Sequence, residues 1–137
     1  MRKKTKFVLL LSFVTVGGIQ VCQAYKLRCP TIDMVTVKQK GNQYEYSAKM
    51  KIDEDRDDKD IIMMTLHKKK LNLSPYAFEV GSVSSDNRFF CSYVDQNPSD
   101  TQGSLTLIAP LKKGSICSAT YPKGHEHPEL FYFECED

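Results

Sequence analysis

The segment Arg88 to Asp95, Arg-Phe-Phe-Cys-Ser-Tyr-Val-Asp, constrains the fold more than any other stretch. Successive side chains of an extended chain point to opposite faces, so Phe89, Cys91 and Tyr93 share one face and Phe90, Ser92 and Val94 the other. Both faces carry large apolar groups, which predicts a central strand lying between two layers. Aromatic and β-branched residues suit a pleated, buried surface. Cys91, in the middle, offers a covalent tie to another strand.

Where such a tie can form depends on compartment, and the N-terminus speaks to that. Residues Met1 to Ala24 have a basic start (Arg2, Lys3, Lys4, Lys6), an apolar run from Phe7 to Val21, and the ending Cys22-Gln23-Ala24. The run is roughly 15 residues, shorter than the ~20 a membrane-spanning helix needs. This is the layout of a secretory signal peptide, with cleavage expected after Ala24. An uncleaved anchor is the alternative. Lipid attachment at Cys22 is a further one, opposed by the bulky Val21 before it.

Removing that segment changes the charge. The chain has 19 Lys and Arg against 17 Asp and Glu, and four of the basic residues but none of the acidic ones fall in residues 1–24. The remainder carries 15 against 17, a formal charge of −2. The apparent basicity therefore belongs to the signal and gives no support to nucleic-acid or anionic-membrane binding. Residues 25–137 suffice for one domain with one core. No later run is apolar enough to span a membrane.

Of five cysteines, Cys22 leaves with the signal and Cys29, Cys91, Cys117 and Cys135 remain. An even number in a small exported domain predicts two disulfides. No spacing matches a Cys-x-x-Cys redox or zinc motif. If the last two strands pair across a loop near Gly124 to Glu129, Cys117 and Cys135 fall opposite one another at a bridgeable separation. This favours Cys117 with Cys135 and Cys29 with Cys91; Cys29 with Cys135 and Cys91 with Cys117 is the other pairing.

Further strands are expected along the chain. Asp33 to Lys40, the reversal Gly41-Asn42 and the alternating Gln43 to Ile52 predict a β-hairpin. Asp53 to Asp60 holds six carboxylates in eight residues. Asp53, Asp55 and Asp57 invite comparison with a calcium loop, but Asp58 stands where the loop needs Gly and Met64 where it needs a closing Glu. A solvated acidic loop is the simpler reading. Ile61 to Leu66 is a short apolar run and reads as a buried strand. Leu71 to Val80 contains Pro75 and reads as an edge strand or irregular cover, with room for one short helix. Leu105 to Ala109, Ser115 to Tyr121 and Leu130 to Cys135 complete the set. The pattern predicts an all-β fold: an antiparallel β-sandwich or partly open barrel of about seven short strands, stabilised by two disulfides.

One loop carries candidate chemistry. His125 and His127 flank Glu126, with Glu129 close behind. On an extended backbone residues i and i+2 point the same way, and imidazole suits Zn²⁺ or Cu²⁺, so a partial metal site is one reading. An exposed polar loop between Pro122 and Pro128 is the other. No Ser lies in a Gly-x-Ser-x-Gly elbow and no free thiol is expected, so no enzyme activity and no cofactor are anticipated.

An export signal, Cys29-Pro30 opening the domain, the strand with Phe90-Cys91-Ser92-Tyr93 and the late pair Cys117 and Cys135 together resemble small exported bacterial proteins grouped as domains of unknown function. That resemblance implies a periplasmic or secreted β-rich protein and supplies no catalytic residues. Two functional expectations follow. One is a non-enzymatic extracytoplasmic β-domain that binds a protein or glycan partner; the other is a periplasmic Zn/Cu-binding protein using His125-Glu126-His127.

Overall fold

The computed structural model describes residues 24–53, 60–97 and 102–136. Ten strands follow in chain order: β1 (Tyr25–Arg28), β2 (Thr36–Lys40), β3 (Gln43–Lys49), β4 (Lys51–Ile52), β5 (Ile62–His67), β6 (Tyr76–Val83), β7 (Arg88–Asp95), β8 (Leu105–Pro110), β9 (Ile116–Thr120) and β10 (Tyr132–Glu136). They form two antiparallel sheets, ordered β4-β1-β10-β9 and β2-β3-β5-β8-β7-β6. The sheets bury one face of each against the other, so the fold is an antiparallel β-sandwich. Of the stretch Leu71 to Val80, the residues from Tyr76 on belong to β6, an edge strand of the larger sheet as Pro75 suggested, and the short helix for which there was room does not form. Among the described residues the helical segments are two 3₁₀ turns, Ile32–Met34 and Pro128–Leu130.

The hairpin forms where the sequence places it. Lys40 pairs with Gln43 across the two-residue turn, and Gly41 supplies the positive φ of 61° that the turn requires. The alternating segment after it does not remain one strand to Ile52. At Met50, whose N–H donates to the carbonyl of Ile61 at 2.9 Å, the chain leaves the larger sheet, and Lys51–Ile52 pairs with β1 in the smaller one. One alternating segment thus serves both layers. The lead-in Tyr25–Arg28 is also a strand, held between β10 and β4. These two additions lift the strand number above about seven.

β7 is interior, flanked by β6 and β8. Phe89, Cys91 and Tyr93 are buried, but Phe90, Ser92 and Val94 are only half-buried. The expectation that both faces lie between layers is therefore corrected: the domain has two layers, and among the described residues nothing covers the second face of the larger sheet. The same reason corrects the buried-strand reading of Ile61 to Leu66. Met63 is fully buried, while Ile62, Met64 and Leu66 alternate outward and are exposed.

The core joins Leu27, Phe131, Phe133 and Cys135 of the smaller sheet and its approach to Tyr46, Met63, Phe89, Tyr93 and Leu107 of the larger. Phe89 and Phe133 meet across the layers with ring centroids 4.8 Å apart. A buried phenol must satisfy its hydroxyl, and the core tyrosines do so by holding connecting segments. Tyr46 Oη accepts from the Leu71 N–H at 2.7 Å, Tyr76 donates to the Gly103 carbonyl at 2.6 Å, and Tyr93 donates to the Pro30 carbonyl. Burial raises the Tyr93 pKa far above the ordinary phenol range.

Both disulfides form in the favoured pairing, Cys29–Cys91 and Cys117–Cys135. Cys117 and Cys135 are direct cross-strand partners of β9 and β10. Cys29–Cys91 is of another kind, since it joins the segment following β1 to the middle of β7 and so links the two layers.

Candidate functional site

Among the described residues, exposed large apolar side chains gather in one row on the outer face of the larger sheet. Strand alternation brings Ile62, Met64 and Leu66 to that side of β5, where they are 48%, 43% and 50% exposed. The register continues the row sideways: Ser47 lies beside Met64, Met64 beside Ile108, and Ile108 beside Phe90. The result is an apolar stripe across three adjacent strands, β5, β8 and β7.

Polar groups frame it. Lys49 pairs with Asp60 at 2.8 Å beside Ile62, and Lys40 pairs with Glu45 at 2.9 Å beside Leu66. Ser92 and Thr106 share a hydroxyl hydrogen bond at 3.0 Å in the next row. The Arg88 guanidinium lies 5.5 Å from the Phe90 ring centre and is itself paired with Asp86. Ser84 and Arg88 hold the exposed Asp86 carboxyl below its usual pKa.

At one end the stripe runs into a cleft of about 520 Å³, where the sandwich opens between Tyr25, Ile52, Ile61, Ile62, Pro110 and Leu111. Exposed Asp60 and Lys112 also border it. Ile62 belongs to both stripe and cleft, so the apolar surface is continuous. It suits insertion of apolar side chains from a binding partner.

The His loop lies elsewhere, between β9 and β10. Its backbone turns at His125 and Glu126 instead of running extended, so the two rings meet different neighbours. His125 packs on Tyr121 with ring centres 4.1 Å apart. His127 Nδ1 lies 3.1 Å from Glu129 Oε1. Glu129's own N–H, and after it the His127 ring, hold that carboxyl below its usual pKa. Among the described residues no group of three or more His, Cys, Asp or Glu side chains is placed to hold a metal ion.

Tyr121 turns its other end to β6. Its hydroxyl accepts from the Gly81 N–H and donates to the Gly81 carbonyl, both at 3.0 Å. The Phe131 ring packs so close that a Cβ on Gly81 would lie 2.3 Å from Cε1, so any larger residue here must displace the ring or β6. Tyr121 and Phe131 therefore close the sandwich margin between β6 and β9.

Of the acidic run, Glu54 to Lys59, including Asp55 and Asp57, lie outside the described residues. Its flanks are neutralised: Arg28 Nε reaches both Asp53 carboxylate oxygens at 2.9 Å, and Asp60 pairs with Lys49. No helix among the described residues is long and apolar enough to cross a membrane.

The fold and its cross-links define a disulfide-stapled antiparallel β-sandwich. No family model, curated protein or solved structure matches the chain. Sequence reasoning singled out the His loop and missed the stripe. The signal was present in Ile61 to Leu66, a run apolar on both faces, which fits a doubly covered strand or a strand with an apolar outer face; the number of layers decides between them.

Proposed function

We propose that this chain is an exported, non-enzymatic β-domain that binds a protein partner through the outer face of its larger sheet. The carrying observation is the exposed row Ile62, Met64 and Leu66, continued by Ile108 and Phe90 and framed by ion pairs. Contiguous apolar surface with a polar rim is the usual mark of a protein contact. A glycan would call for polar groups around an aromatic platform, and the stripe is chiefly aliphatic.

Export draws support from two sides. The layout of Met1 to Ala24 is that of a secretory signal, and the two disulfides form and persist in oxidising compartments. The protein then works in the periplasm or outside the cell, its chain beginning at Tyr25.

The test is a comparison of the wild type with a Met64→Lys/Leu66→Glu variant in recovering a partner from the exported fraction of the native cell. The reading expects one protein retained by the wild type and lost by the variant, whose fold is unchanged. Equal retention by both sinks the outer-face assignment. Intact mass of the native protein tests export: the expected mass starts at Tyr25 and rises by four hydrogens on reduction.

A further inference from the structure

We infer that β2 is an open docking edge that accepts an extended acidic segment of a protein partner as an additional strand of the larger sheet. This rests on the reading of the domain as a protein-binding module and adds the chemistry of what it binds.

β2 ends the larger sheet and is exposed at every residue. Its hairpin geometry fixes which main-chain groups face outward. The two-residue turn makes Lys40 and Gln43 the closing hydrogen-bonded pair. Pairing type then alternates along an antiparallel ladder, so Thr36 and Lys38 also direct their amides and carbonyls to β3. Val37 and Gln39 direct theirs to the open side. An incoming strand meets two donors and two acceptors at the spacing of a ladder.

The remaining margins are poorer acceptors. β6, at the other end of this sheet, has Gly81 closed by the Tyr121 hydroxyl and a bulge between Phe78 and Val80. β4 has two residues, and β9 lies on the margin that Tyr121 closes.

Side chains choose the occupant. Lys38 and Lys40 stand on the outer side of β2, and both neighbour Glu45 on β3: Lys38 is its direct register partner and Lys40 its ion-pair partner. The Glu45 carboxylate is paired with the Lys40 ammonium, and a strand on the free side of β2 can bring a carboxylate to Lys38. On the inner side Val37 is 38% exposed, uncovered by the smaller sheet. The fitting segment is extended and alternates carboxylates, which meet Lys38 and Lys40, with apolar residues, which cover Val37. A second copy of this chain does not fit: pairing β2 with β2 sets lysine against lysine, directly or diagonally, and such contacts are repulsive. The lysines thus guard the edge against self-pairing while favouring an acidic strand.

The experiment uses the folded, disulfide-bonded protein labelled for NMR and a capped seven-residue peptide alternating valine and glutamate. Amide shifts and slowed exchange are expected at Val37 and Gln39. Lys38→Glu/Lys40→Glu should weaken this peptide by about tenfold and create binding of the corresponding valine–lysine peptide, from two cross-strand charge pairs reversed. Lys38→Gln, a milder change, should weaken it by about threefold and serves if the double variant fails to fold. The inference is overturned by equal binding of a peptide N-methylated at alternate residues, by indifference to the lysine variants, or by no binding at all. Loss of the peptide in Met64→Lys/Leu66→Glu, with shifts on β5 and β8, also overturns it and leaves the proposed function standing. Partner loss in that outer-face variant with peptide binding at β2 intact supports both.

Discussion

The hydroxyl of Tyr93 donates to the main-chain carbonyl of Pro30, and the neighbouring residues Cys91 and Cys29 are joined by a disulfide. A covalent bond and a buried hydrogen bond therefore hold the same segment against β7, at the point where the chain leaves the smaller sheet. Tyr93→Phe keeps the ring and strands the Pro30 carbonyl, an acceptor left unmade at a cost of about 1–3 kcal/mol. Urea unfolding should show that loss with unchanged cooperativity.

The two disulfides should differ in weight. Cys29–Cys91 spans 62 residues and crosses between layers, whereas Cys117–Cys135 spans 18 and duplicates a contact the β9–β10 ladder already makes. Loop-closure entropy assigns about 4 kcal/mol to the first and about 3 to the second. Paired Cys→Ser replacements compared by denaturant midpoint check the order; the reverse order would contradict the layer-linking role.

Gly81→Ala places a methyl group inside the Phe131 ring, and relief requires the ring or β6 to move. Overpacking of this kind costs about 1–3 kcal/mol. Amide exchange should quicken along β6 and at the Tyr121 contact before it does in β3 or β5.

Tyr93 also predicts behaviour in alkali. Its folded pKa is raised from 10.0 by burial, so the stabilisation it represents is fully present below the unfolded value and is lost as pH rises through the folded one. In an ultraviolet titration Tyr93 should ionise above the ordinary phenol range, together with unfolding. Tyr93→Phe should remove that step.

Replacing both His125 and His127 by Ala should leave partner binding unchanged, because the loop lies apart from the stripe. Titration with Zn²⁺ or Cu²⁺ gives the complementary reading: strong retention by the wild type alone would move attention to His127 and Glu129.

Local periodicity carried much of this fold. The hairpin through Gly41, the span of β7 and the partner of Cys117 all follow from alternation, turn chemistry and register, which are properties of neighbouring residues. What escaped were properties of the assembled layers. Met50 reads as one more inward residue of an alternating strand, yet there the chain changes sheets. Met64 reads as core, because a strand does not announce how many layers cover it. Tyr121 and Gly81 are forty residues apart in sequence, and neither carries a local sign of the other.

That last contact gives the larger sheet a direction. With its amide and carbonyl already engaged at Gly81 on one end, and lysines lining β2 on the other, the sheet offers a socket but no matching plug. The Tyr121 clasp at Gly81 and the lysines of β2 both work against copies threading onto one another into a fibre. A strand received at β2 extends the larger sheet at that end only, away from the margin that Tyr121 engages.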